Sequence, residues 1–295
     1  MEKFSGSRVN TMLSEQYEIW HVEDKITNEK DIYHYHDHYE LHVTLSGEAE
    51  FFIEGEVYTL TPGTILLIHS NDLHRIMKQN SDNFERVYIF LTSDFLQKHS
   101  TPESDLELAF SSWDKNNHKS KVIKVPINTL ITNLDFILNY NKYDVKQFGS
   151  DIEYENRLVT FLVYVNRWLH DFDIVEEVDG KSDPIMNDML AYVSENLKNE
   201  LNLETMENRF FLSKFHIIRA FKKHTGMSFY QYVLRKRLLL SKKLLIKHKS
   251  VVDIYMECGF LTYTNYLRAF KKEFGITPKE FLKLTEENDK IINKR

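Results

Sequence analysis

The sequence Arg-Ala-Phe-Lys-Lys occurs twice in the last third of the chain, at residues 219–223 and 268–272, and a glycine follows three residues later each time. A short amphipathic segment precedes each copy. Apolar residues recur at helical spacing in and around both copies, as Ile217 and Phe221 do at the first. The repeated spacing predicts two similar pairs of short helices, because a chance amphipathic helix would not reproduce the same order of segments.

The residues between the two helices of each pair predict a tight turn. In the second helix pair, residues 251–257 form the first helix, and Gly259 tolerates the positive φ that follows a helix C-terminus. Either Thr262 or Thr264 can cap the next helix, which Pro278 follows. In the first copy, Ser213 is the expected N-cap. Short helix, tight turn and basic second helix is the plan of a helix-turn-helix unit.

The second helix of each unit is expected to turn basic and apolar residues outward, toward a groove of a binding partner. These residues are Lys214, Phe215, Ile218, Arg219 and Lys222 in the first unit, and Tyr263, Leu267, Arg268 and Lys271 in the second. A core helix with a merely soluble basic surface is the alternative for either helix alone. The duplication favours the groove-binding interpretation.

Charge is divided unequally along the chain. The total is −6, which by itself argues against a nucleic-acid partner. From Pro184 onward, however, there are 21 Lys and Arg against 12 Asp and Glu, a net of +9. Residues 1–183 have 17 against 32, a net of −15. The C-terminal part is therefore attracted to phosphate and the N-terminal part is repelled by it.

Residues 184–284 resemble the AraC/XylS family of bacterial transcription regulators. The resemblance rests on residues 221–232 (FKKHTGMSFYQY), on Cys258-Gly259-Phe260 and on residues 268–278 (RAFKKEFGITP). Departures from the family pattern are Met206-Glu207 and Tyr255-Met256 in the supporting helices, and Phe215 and Ile218 where polar base-reading residues are more usual.

The resemblance implies a homodimeric, sequence-specific regulator that binds double-stranded promoter DNA and, as an activator, contacts RNA polymerase. Arg219 and Arg268 are the first candidates for base-edge contacts, since arginine bonds guanine bidentately. Lys222 and Lys271 are expected at the DNA backbone. The further candidates are Lys214, Phe215, Ile218, Thr262, Tyr263, Thr264 and Leu267.

Short β-type runs broken by turn residues fill residues 32–91 and predict a small antiparallel barrel or sandwich. Polar residues alternate near its start, so that one strand face would carry His36, His38, Glu40 and His42. With His74, this stretch resembles the cupin barrels that serve as sensors in the same family. Metal-binding cupins use a His-x-His pair, a later carboxylate and a further histidine, and Glu40 comes too early for that pattern.

The histidine-rich stretch leaves three alternatives: a divalent metal, a sugar or other small polar ligand, and histidines that only stabilise the start of a strand. We expect a small polar effector held by His36, His38, Glu40, His42 and His74, with no metal and no other cofactor.

The predicted fold class is α+β with two domains, an N-terminal cupin-like antiparallel β-barrel with a helical hairpin and a C-terminal all-α domain with two helix-turn-helix units. The expected boundaries are 1–100 for the sensor barrel, 101–172 for a helical hairpin that mediates dimerisation, 173–183 for an acidic linker, and 184–295 for DNA binding. Two apolar stripes at helical spacing predict the two hairpin helices. The first consists of Ile127, Leu130, Ile131, Leu134, Ile137 and Leu138, and the second of Leu158, Phe161, Leu162, Val165, Trp168 and Leu169.

The remaining features favour a cytoplasmic protein. No apolar run reaches the length of a membrane span, the N-terminal residues lack an apolar signal core, and the single cysteine, Cys258, has no internal disulfide partner. We therefore predict a ligand-responsive transcription regulator, not an enzyme, with carbohydrate utilisation as the expected pathway. The alternative from another class is a metal-dependent cupin enzyme with an accessory helical domain.

Overall fold

The structure, a computed structural model, describes residues 12, 14, 16–24, 34–54, 56–70, 72–79, 83–111, 122–139, 147–169, 176–177, 181–248 and 251–283. The chain divides into two compact units, Met1–Lys181 and Ser182–Arg295. The N-terminal unit is an antiparallel β structure with helices, and the C-terminal unit is helical. The predicted α+β two-domain class is confirmed.

Two antiparallel sheets form the N-terminal unit. Their strands are β1 (Tyr17–Asp24), β2 (Tyr39–Ser46), β3 (Ala49–Ile53), β4 (Glu56–Leu60), β5 (Thr64–Ile68), β6 (His74–Gln79), β7 (Phe84–Leu91), β8 (Val122–Lys124), β9 (Glu176–Glu177) and β10 (Lys181–Ser182). The first sheet has the order β1-β7-β2-β5-β8-β9, and the second has the order β10-β4-β3-β6.

Strand β2 has two chemically different faces, and this difference positions the candidate site. Leu41 and Val43 are buried in the main hydrophobic core, with Ile89 of β7 beside them. Glu40 and His42 alternate with them and lie on the opposite face, because successive side chains of a strand point to opposite sides. Both faces are buried, so the polar face lies inside the unit.

Helices cover the apolar face of this sheet. They are α1 (Ser93–His99), α2 (Leu108–Ser111), α3 (Ile127–Leu138) and α4 (Ser150–Trp168). Leu134 of α3 and Phe161 of α4 are buried in the same core as Leu41. The stripe predicted for α3 was wrong at Ile131, which is exposed, whereas Phe136 is buried in its place. Leu130, Leu134 and Ile137 are buried, as the stripe predicts.

Part of the predicted linker, residues 173–183, is regular structure. Strand β9 pairs with β8 at the edge of the first sheet, and β10 lies at the edge of the second. Residues 173–175 and 178–180 lie outside the described residues.

The C-terminal unit contains helices α5 (Pro184–Glu195), α6 (Leu203–Phe210), α7 (Lys214–Thr225), α8 (Phe229–His248), α9 (Val251–Glu257) and α10 (Tyr263–Phe274). Pro184 occupies the first turn of α5, where its missing N–H costs nothing, and Asp183 caps that helix. None of the described helices combines the length and apolar character that crossing a bilayer requires.

Candidate functional site

The first helix-turn-helix unit consists of α6 and α7. Asn202 caps α6, and the Ser213 hydroxyl accepts a hydrogen bond from the His216 backbone N–H at the start of α7, as predicted. Between the helices, Phe211 has a φ of 55°, in the left-handed region that non-glycine residues rarely adopt. Met206 and Phe221 are buried and fix the two helices against the unit.

The outward face of α7 carries all five residues predicted there. Lys214, Phe215, Ile218, Arg219 and Lys222 are exposed, and Phe215 is 83% exposed. Both lysines of this face have partners within the helix-turn-helix unit. Lys214 Nζ lies 3.8 Å from a Glu207 carboxylate oxygen, and Lys222 Nζ donates to the Gly226 carbonyl at 2.7 Å. Arg219 makes no hydrogen bond or ion pair within the described part of the chain, so its guanidinium is available to a partner.

The second helix-turn-helix unit consists of α9 and α10. Gly259 follows α9 with a φ of 80°, and Thr262, rather than Thr264, caps α10. A Cβ built at Gly259 would lie 2.0 Å from the Leu197 carbonyl oxygen and 2.8 Å from Arg237 Nε. Arg237 donates from Nε to that same carbonyl at 3.0 Å and from Nη2 to the Asn199 carbonyl at 2.8 Å. The backbone at Gly259 therefore packs closely against Arg237 of α8 and against the residues that follow α5.

The outward face of α10 carries Tyr263, Thr264, Arg268 and Lys271, all exposed. Arg268, like Arg219, has no hydrogen-bond or ion-pair partner among the described residues. The prediction was wrong for Leu267, which is partly buried and packs against the core around Phe270. It is adjacent to Tyr266, which is fully buried, and the side of α10 that packs extends as far as Leu267. Thr262 is exposed, although its hydroxyl accepts the Asn265 backbone N–H.

The second candidate site is the inner face of β2 and β7 in the N-terminal unit. In the antiparallel register, Glu40 pairs with Phe90, His42 with Tyr88, and Thr44 with Arg86. These six side chains share one face of the sheet. Arg86 is 7% exposed and donates from Nε to the Tyr88 hydroxyl at 2.7 Å and from Nη1 to the Phe84 carbonyl at 3.1 Å.

Three polar side chains converge at one end of this face. His36 Nε2 lies 2.8 Å from Glu40 Oε2, and His74 Nε2 lies 3.4 Å from the same oxygen. All three side chains are buried. Burial alone would raise the pKa of Glu40, but the hydrogen bond from His36 and the adjacent His74 outweigh it and hold the pKa well below its usual value.

Two further histidines and a threonine are buried without partners. Both ring nitrogens of His38 and of His42, and the Thr44 hydroxyl, have no hydrogen-bond partner within the described residues. Burial lowers the pKa of His38 to about 3, helped by His36, and burial also lowers the pKa of His42 to about 3. Buried polar groups without partners cost free energy, so this face is suited to a polar ligand.

The structure places the five predicted residues together but not in the predicted way. Strand β2 begins at Tyr39, so His36 and His38 precede it instead of sharing a strand face with Glu40. The rings of His36 and His38 stack in parallel, 3.8 Å apart. The carboxylate that was judged too early in the sequence, Glu40, is the one that meets His36 and His74.

Sequence reasoning missed Thr44, Arg86, Tyr88 and Phe90 on the inner face. The alternation within residues 84–91 could have identified the last three, because Arg86, Tyr88 and Phe90 alternate there with buried core residues. His34 was also missed as a neighbour of the site. It forms a backbone bridge with His74, and their rings are 4.2 Å apart.

Comparisons with known proteins give matches in both units. A model described as an AraC-like ligand binding domain matches residues 21–98, and a helix-turn-helix domain model matches residues 206–284. The transcriptional activator RhaS of Escherichia fergusonii is 26% identical over 256 residues, which are 84% of this chain and 86% of that protein. RhaS of Enterobacter sp. (strain 638) is 26% identical over 250 residues, with the same coverage.

Among solved structures, a crystal structure of an apo ToxT variant from Vibrio cholerae matches 94% of this chain and 98% of that one. The sequence identity is 14%, and the TM-score is 0.37.

Proposed function

The chain belongs to the AraC/XylS family of transcription regulators and is a ligand-responsive DNA-binding protein, and from this premise we propose that α7 and α10 enter successive major grooves of promoter DNA. The single observation that carries the proposal is that both second helices present an exposed basic face whose arginines, Arg219 and Arg268, have no partner in the described chain. Such guanidinium groups can bond guanine bidentately without first breaking an internal contact.

The helix that connects the two helix-turn-helix units supports this arrangement. Helix α8 contains 20 residues and is therefore about 30 Å long at ~1.5 Å per residue. One turn of DNA is about 34 Å, so a spacer of this length matches two successive grooves on one side of the duplex. The net charge of +9 from Pro184 onward supplies the attraction to phosphate.

The other outward residues have distinct proposed roles. Apolar contacts to thymine methyl groups are proposed for Phe215 and Ile218, and they would compensate for the missing polar base readers on α7. Tyr263 can make a similar contact from α10. Lys271, Thr264 and Thr262 are suited to phosphate and neighbouring backbone contacts, since phosphate contacts fix the register of a protein on DNA. Lys214 and Lys222 are proposed at the DNA backbone with smaller effects, because each already has an internal partner.

The effector is proposed to bind the inner face of β2 and β7. His38, His42 and Thr44 provide donors and acceptors that lack hydrogen-bond partners among the described residues, and a polyhydroxylated molecule such as a sugar would satisfy them. Phe90, 4.8 Å from His38 between ring centroids, provides an apolar surface for such a ligand.

The remaining partners follow from the family and from exposed apolar residues. The curated relatives are named transcriptional activators, so we propose activation through RNA polymerase in the cytoplasm. We also propose a homodimer formed by the helical hairpin, whose two helices each expose an isoleucine, Ile131 on α3 and Ile152 on α4. Because the relatives are regulators, the alternative of a cupin enzyme is not supported.

DNA binding is tested by selecting an operator from a pool of random duplexes and measuring affinity by fluorescence anisotropy. We expect Arg268→Ala to lose about 1–3 kcal/mol and to relax preference at one base position. Lys279→Ala removes one exposed positive charge outside both recognition helices and serves as the control. Equal affinity and specificity of Arg268→Ala and the parent protein would reject the role of α10.

Effector binding is tested by a thermal-shift screen of sugars and other small polar compounds, followed by calorimetry of any compound that binds. We expect His38→Gln to weaken binding at least tenfold. His69→Gln is the control. His69 is partly buried, and its Nδ1 already bonds the Ser70 carbonyl. Full affinity in His38→Gln would remove this histidine from the effector site.

A further inference from the structure

Strand β1 extends the inner face of the sheet beyond β7. The two strands are antiparallel and paired along all of β1, with Trp20 directly opposite Tyr88. On the other side of β7, Tyr88 is paired with His42 of β2. Residues directly opposite one another on neighbouring strands share a face of the sheet. Trp20, Tyr88 and His42 therefore form one row across an inner face that is three strands wide.

This row becomes more exposed from β2 to β1. His42 is fully buried, Tyr88 is partly buried, and Trp20 is 41% exposed. Strand β1 also stands at the edge of its sheet. The buried polar groups on β2 are thus continuous with a part of the inner face that meets solvent at Trp20.

The Trp20 indole is oriented by its neighbours in the chain. Its Nε1 donates to Glu18 Oε2 at 3.3 Å, and Glu18 Oε1 accepts the backbone N–H of Ser14 at 2.7 Å. Glu18 lies on the same face of β1 as Trp20, because side chains two residues apart in a strand point to the same side. A ring that is already oriented loses little conformational freedom when a ligand covers it.

Aromatic rings line the inner face between the buried polar groups and Trp20. The Phe90 ring is 4.8 Å from the His38 ring and 6.1 Å from the Tyr88 ring between centroids, and the Tyr88 ring is 5.0 Å from the His42 ring. Single exposed aromatic side chains are common on protein surfaces, but Trp20 continues this aromatic row. Flat apolar rings beside hydrogen-bonding groups suit sugars, which have C–H groups on their ring faces and hydroxyl groups around the rim.

The width of the face indicates a ligand longer than one sugar ring. His42 and Thr44 lie on β2 and His38 just before it, and all three have polar atoms without a hydrogen-bond partner among the described residues. One ring can meet these groups without leaving β2. Trp20 lies two strands away, at about 10 Å for strands ~4.8 Å apart, so a second ring is needed to cover it.

We propose that the effector is a neutral oligosaccharide of two or more sugar units. This inference rests on the proposed effector site. The first unit occupies the polar groups along β2, and the second stacks on Trp20 with its hydroxyl groups toward Glu18. A carboxylate at this position accepts hydrogen bonds from hydroxyl groups and repels an anionic group, which is why the second unit is assigned as neutral.

The proposal is tested on the full-length protein with matched pairs of sugars: xylose and xylobiose, glucose and cellobiose, galactose and galactobiose, mannose and mannobiose. Calorimetry measures the affinity of each. We expect one disaccharide to bind about tenfold more tightly than its monosaccharide, because only the disaccharide reaches Trp20. Trp20→Ala should lose this preference and keep the parental affinity for the monosaccharide. The matched control is His21→Ala, on the same strand but on its opposite face, and it should keep the preference.

Intrinsic tryptophan fluorescence gives a second readout. The disaccharide, but not the monosaccharide, should change the emission of the parent protein, and this change should be absent from Trp20→Leu. Leucine keeps an apolar side chain without the flat ring, so this variant also replaces Trp20→Ala in calorimetry if the alanine variant does not fold.

Two results would overturn the second sugar unit: equal affinity of the parent for both members of every pair, or an unchanged preference in the Trp20 variant. Monosaccharide binding in either case would leave the effector site along β2 intact. If no sugar of the panel binds, the oligosaccharide assignment is rejected. The comparison of His38→Gln with the parent on other small polar compounds then still tests the effector site separately.

Discussion

The two helix-turn-helix units share a plan but reach it by different local chemistry. In the second helix-turn-helix unit Gly259 forms the left-handed end of α9 and packs closely against Arg237 and the Leu197 carbonyl. In the first helix-turn-helix unit the left-handed position belongs to Phe211, which is 92% exposed. Both units thus have the two helices and a capped second helix, while the backbone strain and the packing of the turn differ.

The largest effect is expected at Gly259. In Gly259→Ala the new methyl group would meet the Leu197 carbonyl at 2.0 Å in addition to a disfavoured φ, and we expect a loss of about 2–5 kcal/mol in the free energy of unfolding. Gly275→Ala is the matched control. Its φ of 78° is similar, but nothing lies within 4 Å of the added Cβ, so about 1–2 kcal/mol is expected. Urea denaturation measures both, and equal losses would refute the anchoring of the second turn.

A smaller effect is expected from the two arginines. Arg219→Ala and Arg268→Ala should each weaken operator binding by about 1–3 kcal/mol at low salt. We expect the larger loss of base specificity for Arg268, because its neighbour Thr264 is polar, whereas Arg219 lies among Phe215 and Ile218. Binding to operators with single base changes measures this difference. A specificity loss confined to Arg219→Ala would reverse the assignment of the two units.

Phe211 should respond in the opposite direction from Gly259. Phe211→Gly removes the strain of a left-handed phenylalanine at a nearly fully exposed position, so we expect stabilisation of up to about 1 kcal/mol. Thermal unfolding of the parent protein, of Phe211→Gly and of Phe211→Asn provides the measurement. Asparagine is included because it also tolerates the left-handed conformation. A stabilised variant with weaker operator binding would show that the phenyl ring contacts DNA.

The smallest effects separate Lys222 from Lys271, which occupy equivalent positions in the repeat. Lys222→Met should lower stability by about 0.5–1 kcal/mol, because its amine donates to the carbonyl that follows α7. Lys271→Met should leave stability nearly unchanged and reduce the salt dependence of operator binding by about one phosphate contact. Salt titrations that give identical slopes for both variants would contradict this distinction.

The sequence predicted the local features of the C-terminal unit well. The caps at Ser213 and Thr262 and the turn at Gly259 depend on the chemistry of neighbouring residues, and such signals are written in short stretches. Phe211 could not be predicted, since phenylalanine carries no signal for a left-handed conformation. Leu267 was misplaced because helical periodicity gives the direction of a face but not its width.

The N-terminal site was harder to predict because it depends on contacts between distant segments. Alternation correctly placed Glu40 and His42 on one face, but it could not show that β2 begins only at Tyr39. The meeting of His36 with His74 requires the backbone bridge from His34 to His74, which joins segments about 40 residues apart. Spacing within one stretch therefore predicted that these side chains lie near one another, but it could not predict which of them are in contact.

Strand β2 separates two environments by the thickness of a single backbone. Glu40 and His42 face the polar interior, while Leu41 and Val43 are packed in the layer that includes Leu134 and Phe161 of the helical hairpin. Because protein interiors are close-packed, we expect a displacement of β2 to be transmitted to Leu134 and Phe161. Binding at the inner face would then also shift the helices on the other side of the sheet.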